Sequence, residues 1–151
     1  MGTKPFDNRK NNKGKNDRPA KVPRYKGKNV DPMGDVTRMG QTAIRMFRDI
    51  ASGRGKPIDK YTEFLNRDFV VAAINEVDRK IREEHILVFA LQSTYGNSSD
   101  IQIDKMMNDH RKAYEGWCFI RETLGYIMAT GDPSFVGALI NRLPDYRYVL
   151  H

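Results

Sequence analysis

Ten of this chain's 26 lysines and arginines fall in its first 32 residues, a stretch with almost nothing apolar to fold around. They are Lys4, Arg9, Lys10, Lys13, Lys15, Arg18, Lys21, Arg24, Lys26 and Lys28, opposed only by Asp7, Asp17 and Asp31. Removing them from the 26 basic and 19 acidic residues of the whole chain leaves sixteen of each, so all of the +7 net charge belongs to this stretch. Its larger apolar groups are Met1, Phe6, Val22, Tyr25 and Val30, set among Lys, Asn, Gly and Pro. Such a segment cannot bury enough surface to offset its ordering entropy. It is predicted to be a disordered or extended basic arm, 1–32.

The remainder, 33–151, is of a different kind. It holds Trp117, six of the seven Phe and six of the seven Tyr. A neutral segment of that size suits one modest core.

Its apolar residues recur at helical spacing. Val36, Met39, Ala43, Phe47 and Ile50 predict a helix over about 36–51, with Asp35 as N-cap. Ser52-Gly53-Arg54-Gly55-Lys56-Pro57 breaks the chain. A short helix capped by Asp59 is expected to carry Tyr61, Phe64 and Leu65. A longer one over about 68–93 follows, with Val70, Ile74, Val77, Ile81 and Val88 on one stripe, widened by Phe69, Ala73 and Phe89. Tyr95-Gly96-Asn97-Ser98 reads as a turn, with Gly96 as a C′ residue and Ser98 or Ser99 as the next N-cap.

The helix over about 99–129 has the clearest stripe: Ile103, Met106, His110, Ala113, Trp117, Ile120, Leu124 and Ile127. Gly131 should end it, Asp132 should cap the next segment, and Pro133 should take its first helical position. A short helix with Val136, Leu139 and Ile140 stops before Pro144. The alternation in Tyr146-Arg147-Tyr148-Val149-Leu150 predicts a short extended C-terminal tail. These elements make an all-α protein, a small helical bundle built on a long antiparallel helical hairpin. In it, Trp117, Ile120, Leu124 and Ile127 are expected to face Val70, Ile74, Val77 and Ile81.

No catalytic motif is present. Cys118 is the only cysteine, which excludes an intramolecular disulfide and a thiolate cluster. His110 stands eight residues from it, about 12 Å along a helix axis, too far to serve as its base; a buried structural thiol is expected. His85, His110 and His151 lack metal-ligand spacing, and His110 falls on an apolar stripe as a buried, hydrogen-bonded core residue would. Gly53-Arg54-Gly55-Lys56 resembles a phosphate loop only superficially, because Pro57 stands where Ser or Thr is needed. No catalytic residue, metal or cofactor is therefore expected.

No run approaches the length of a membrane span, and the N-terminal segment lacks the apolar stretch of a secretory signal. Phe6 replaces the Ser or Thr of a myristoylation motif. An intracellular location, in the cytoplasm or within a particle such as a virion, follows as the expectation.

The arm is the functional signal. Flexible Lys and Arg neutralise phosphates without reading sequence, and Tyr25 adds a stacking group. Arg38, Arg45 and Arg48 share another side of the first helix. They read first as a solvated polar face, and secondly as a continuation of the basic surface. The expected partners are RNA or DNA, bound without sequence specificity, and protein neighbours in a larger assembly; self-association into a homo-oligomer is compatible with this. The competing reading is a free-standing adaptor whose basic tail only solubilises or targets it.

Overall fold

The structure, a computed structural model, describes residues 32–151. The basic arm and its expected irregular conformation lie outside them. Among the described residues every regular element is helical: α1 (Pro32–Ala51), α2 (Arg67–Tyr95), α3 (Ile101–Thr130) and α4 (Val136–Arg142), with short 3-10 turns between and after them.

Helix α1 begins earlier than the apolar stripe predicts. Pro32 takes its first position, where a preset φ and a missing N–H cost nothing. Asp35 consequently lies within the first turn, where its charge favours the helix dipole, instead of capping it. The helix ends at Ser52-Gly53, as expected. The segment after Pro57 forms two 3-10 turns, Ile58–Lys60 and Thr62–Leu65, in place of a short α-helix. Tyr61 and Phe64 are buried there, whereas Leu65 is exposed. Phe64 stacks on Phe47 at 5.9 Å and meets Phe69 edge-on at 5.5 Å, locking α1 and the start of α2 to the same core.

Asn66 caps α2, its Oδ1 accepting from the Phe69 N–H at 3.2 Å. Asp100, not Ser98 or Ser99, caps α3, its Oδ1 accepting from the Gln102 N–H at 2.8 Å. Ser98 instead accepts from the Asp100 N–H. Gly96 follows the last turn of α2 in a right-handed conformation (φ −58°), and the turn closes through the Ser98 N–H to the Tyr95 carbonyl. The stop at the end of α3 follows the sequence closely. Gly131 is left-handed (φ 68°), Asp132 Oδ1 accepts from the Ser134 N–H at 2.9 Å, and Pro133 opens the next turn.

The C-terminal tail is a correction. It is not extended: Leu143–Tyr146 forms a 3-10 turn with Pro144 near its start, and the Val149 and Leu150 N–H groups both donate to the Tyr146 carbonyl. Tyr146, Val149 and Leu150 are buried while Tyr148 is 79% exposed, which is the spacing of a helical turn and not of a strand.

The core joins Trp117, Ile120, Leu124 and Ile127 of α3 to Val70, Ile74 and Val77 of α2, with Ile81 packed at its edge. Val136, Leu139 and Leu143 close it from the other side. Helices α2 and α3 pack against each other extensively. Polar pairs border it: Arg121 Nε donates to Asp78 Oδ1 at 3.0 Å, and His110 Nδ1 meets Glu84 Oε1 at 2.6 Å.

Beyond Glu84 the core stops. Phe89, expected to widen the apolar stripe, is 68% exposed, and Ile86, Leu87, Ile101 and Met106 are exposed with it. On α3 the buried methionine is Met107, next to the expected Met106.

Candidate functional site

Of the residues expected to meet nucleic acid, Lys4, Arg9, Lys10, Lys13, Lys15, Arg18, Lys21, Arg24, Tyr25, Lys26 and Lys28 lie outside the described residues. The other three stand on α1 and differ in setting. Arg38 is exposed and its carbonyl accepts the Thr42 hydroxyl at 2.9 Å. Arg45 is exposed, and its Nη2 donates to the Thr42 Oγ1 at 3.1 Å. Arg48, one turn further on, is half-buried.

Arg45 and Arg48 line a groove of about 310 Å³ between α1 and α2, together with Gln41, Ile44, Glu76, Arg79 and Lys80. Arg38 is not part of it. The sequence reading missed Arg79 and Lys80, because they come from a different helix and no spacing in the chain connects them to Arg48. Glu76 is engaged by Arg79, whose Nη2 donates to its Oε2 at 2.6 Å, and Arg79 also pairs with Glu83. Burial pushes the Arg48 pKa down. The Lys80 pKa is pushed down by burial first and by the Arg48 charge second. The groove therefore carries four cations and one carboxylate, and that carboxylate is already paired.

The Gly53–Lys56 loop is occupied by the fold itself. The Lys56 N–H donates to the Tyr61 hydroxyl at 2.6 Å, and Arg54 pairs with Asp49 at 3.0 Å. The backbone donor that a phosphate loop would offer to an anion is here spent on Tyr61.

His110 is half-buried and not fully enclosed as the stripe predicted, held by the buried Glu84. His85 lies against the Tyr114 ring, 5.9 Å between centroids. Among the described residues, no three His, Cys, Asp or Glu side chains converge as metal ligands would. Cys118 is half-buried, a correction to the buried thiol expected. Burial pushes its pKa up, and a hydrogen bond with Tyr114 opposes that shift only partly. A protonated thiol in such a setting is a poor nucleophile.

A second, mostly apolar cleft of about 310 Å³ lies between the 3-10 turns, lined by Ile58, Tyr61, Leu65 and Pro133. Among the described residues, no helix is long and apolar enough to cross a membrane. Comparison with protein families, curated proteins and solved structures finds no match to this chain.

Proposed function

We propose that this protein is a non-catalytic assembly component of a nucleoprotein complex, such as a virion, a ribonucleoprotein or a ribosome-like machine. The observation that carries the reading is the charge segregation: ten cations against three carboxylates in residues 1–32, beside a body with sixteen of each. A polyanion is the partner that such an arm attracts over distance, and nucleic acid is the commonest one. The body acts as the docking module.

We also read α2 and α3 as an antiparallel hairpin at the centre of a small bundle. Asp78 pairs with Arg121 and Glu84 with His110, so later positions on α2 meet earlier ones on α3, and only the Gly96–Asp100 turn joins the helices. The exposed Ile86, Leu87 and Phe89 near that turn support the protein-docking half of the reading, since apolar clusters of this kind mark interaction surfaces.

The test is the salt dependence of binding to mixed-sequence single-stranded RNA and duplex DNA, using the full chain. Each phosphate neutralised contributes about −0.9 to the slope of log K against log salt on duplex, and about −0.7 on single strands. The ten basic residues cannot all engage at once, so a slope of roughly −4 to −7 is expected. Replacing Lys21, Arg24, Lys26 and Lys28 together by Gln should make the slope shallower by about four at most, with sequence preference unchanged. If the substituted chain binds like the original, the adaptor reading with a solubilising tail replaces this one.

A further inference from the structure

Towards its end α2 is apolar on every side. Ile86-Leu87-Val88-Phe89-Ala90-Leu91 is an unbroken apolar run, and no charged side chain occurs from Ile86 to Ser99. A helix that is apolar all round belongs in an interior. Here only one side is covered. Glu84 turns to His110 of α3 at 2.6 Å, and Val88 and Leu91, on the same side as Glu84, are half-buried. Arg82, Ile86, Phe89 and Ser93 follow one another at helical spacing on the opposite side, and all four are exposed. Ile86 is 63% exposed and Phe89 68%.

This stripe is complementary to itself. Its bulky members, Ile86 and Phe89, are followed at the same spacing by the small Ser93 and Gly96, which are also exposed. When two copies of α2 run antiparallel about a two-fold axis level with Leu91, Phe89 of each copy meets the partner's Ser93, and Ile86 meets the partner's Gly96. Large groups then enter the gaps above small ones, as they do wherever helices interdigitate. The same register brings Arg82 of each copy towards the partner's Asp100. Both residues are exposed and have no ion pair among the described residues, and Asp100 uses only its Oδ1 to cap α3.

We propose that two copies of this protein pair through this face of α2, antiparallel and two-fold, with Phe89 near the axis and an Arg82–Asp100 pair at either end. The proposal rests on the reading of the body as a docking module and names its partner as another copy of the chain. Each copy contributes on the order of 500 Å², so the pair buries about 1,000 Å², near the lower limit for a specific interface. The dimer is therefore reversible and forms in the micromolar range.

The test is sedimentation equilibrium of the full chain, treated with nuclease and held at a salt concentration that suppresses nucleic-acid binding. It should show monomer and dimer exchanging across the micromolar range. Phe89→Glu sets two like charges near the axis, at a position that the fold leaves in water. It should weaken association tenfold or more while helix content and melting temperature stay unchanged. Ser93→Lys should do the same. Mixing the two variants should restore most of the affinity, because the introduced carboxylate and ammonium then face each other across the axis. A chain that stays monomeric overturns the proposal, and so does Phe89→Glu pairing as tightly as the original. A mixture no tighter than its components overturns it as well.

RNA binding by the same samples at low salt separates this proposal from the reading it rests on. A monomeric chain whose RNA affinity falls steeply with salt ends the pairing, keeps the assembly reading and leaves this face to a different protein. A chain that dimerises and binds no RNA does the reverse.

Discussion

At the scale of single residues, Trp117 decides most. Its side chain is fully buried in the core, yet its indole N–H has no hydrogen-bond partner among the described residues. Two opposing terms follow. Trp117→Ala leaves a large cavity and should cost roughly 3–5 kcal/mol, read from the urea midpoint at unchanged slope. Trp117→Phe removes less volume and also removes the unpaired donor, whose burial costs about 1–3 kcal/mol, so its loss should be well below that of the alanine variant. Neighbouring Cys118 gives a pH prediction. Burial raises its pKa, so the folded protein holds less thiolate than a free thiol at any pH near 8. Alkylation should therefore be slower in the native chain than in urea, with its half-maximal rate displaced to higher pH; equal rates would mean that the thiol is not shielded.

At the scale of elements, the α1–α2 contact turns on Gly40. Alanine is worth about 1 kcal/mol over glycine in a helix interior. Here its methyl would press on the Ala72 carbonyl of the neighbouring helix, which cannot rotate away as a side-chain tip could. Overpacking of this kind costs about 1–3 kcal/mol, so Gly40→Ala should lower the melting temperature despite its propensity gain. This contact also shows where sequence reading reaches and where it stops. The stripes Val70–Ile74–Val77 and Trp117–Ile120–Leu124–Ile127 announce helices because every turn repeats an apolar position, and they are buried as expected. The 131–133 stop was legible because Gly, Asp and Pro each satisfy a different backbone requirement. Phe89 was misread because periodicity describes one face of a helix and says nothing of whether another element reaches it. Arg45 and Arg48 were visible as a pair on α1. Arg79 and Lys80 entered only through packing between helices, and that packing turns a basic face into a groove.

At the scale of the whole molecule, the polar pairs of the body are mostly local and cancel, so the body's stability should vary little with salt while nucleic-acid affinity varies steeply. Thermal melting across a salt series, set beside binding across the same series, checks that contrast. The end of the α2–α3 pair has a kinetic consequence. From Ile86 to Ser99 the chain carries no charged side chain, and Ile86, Leu87 and Phe89 lack core neighbours. The same two helices therefore span different regimes of local opening. Amides around Trp117 should exchange with solvent only through global unfolding, whereas those of 86–95 should exchange through sub-global fraying at a much smaller free energy. Native-state hydrogen exchange in rising denaturant would show two families of isotherms within one pair of packed helices. A neighbour seated on this end would merge them, so the exchange of ten consecutive amides becomes a gauge of whether the protein is standing alone or built into something larger.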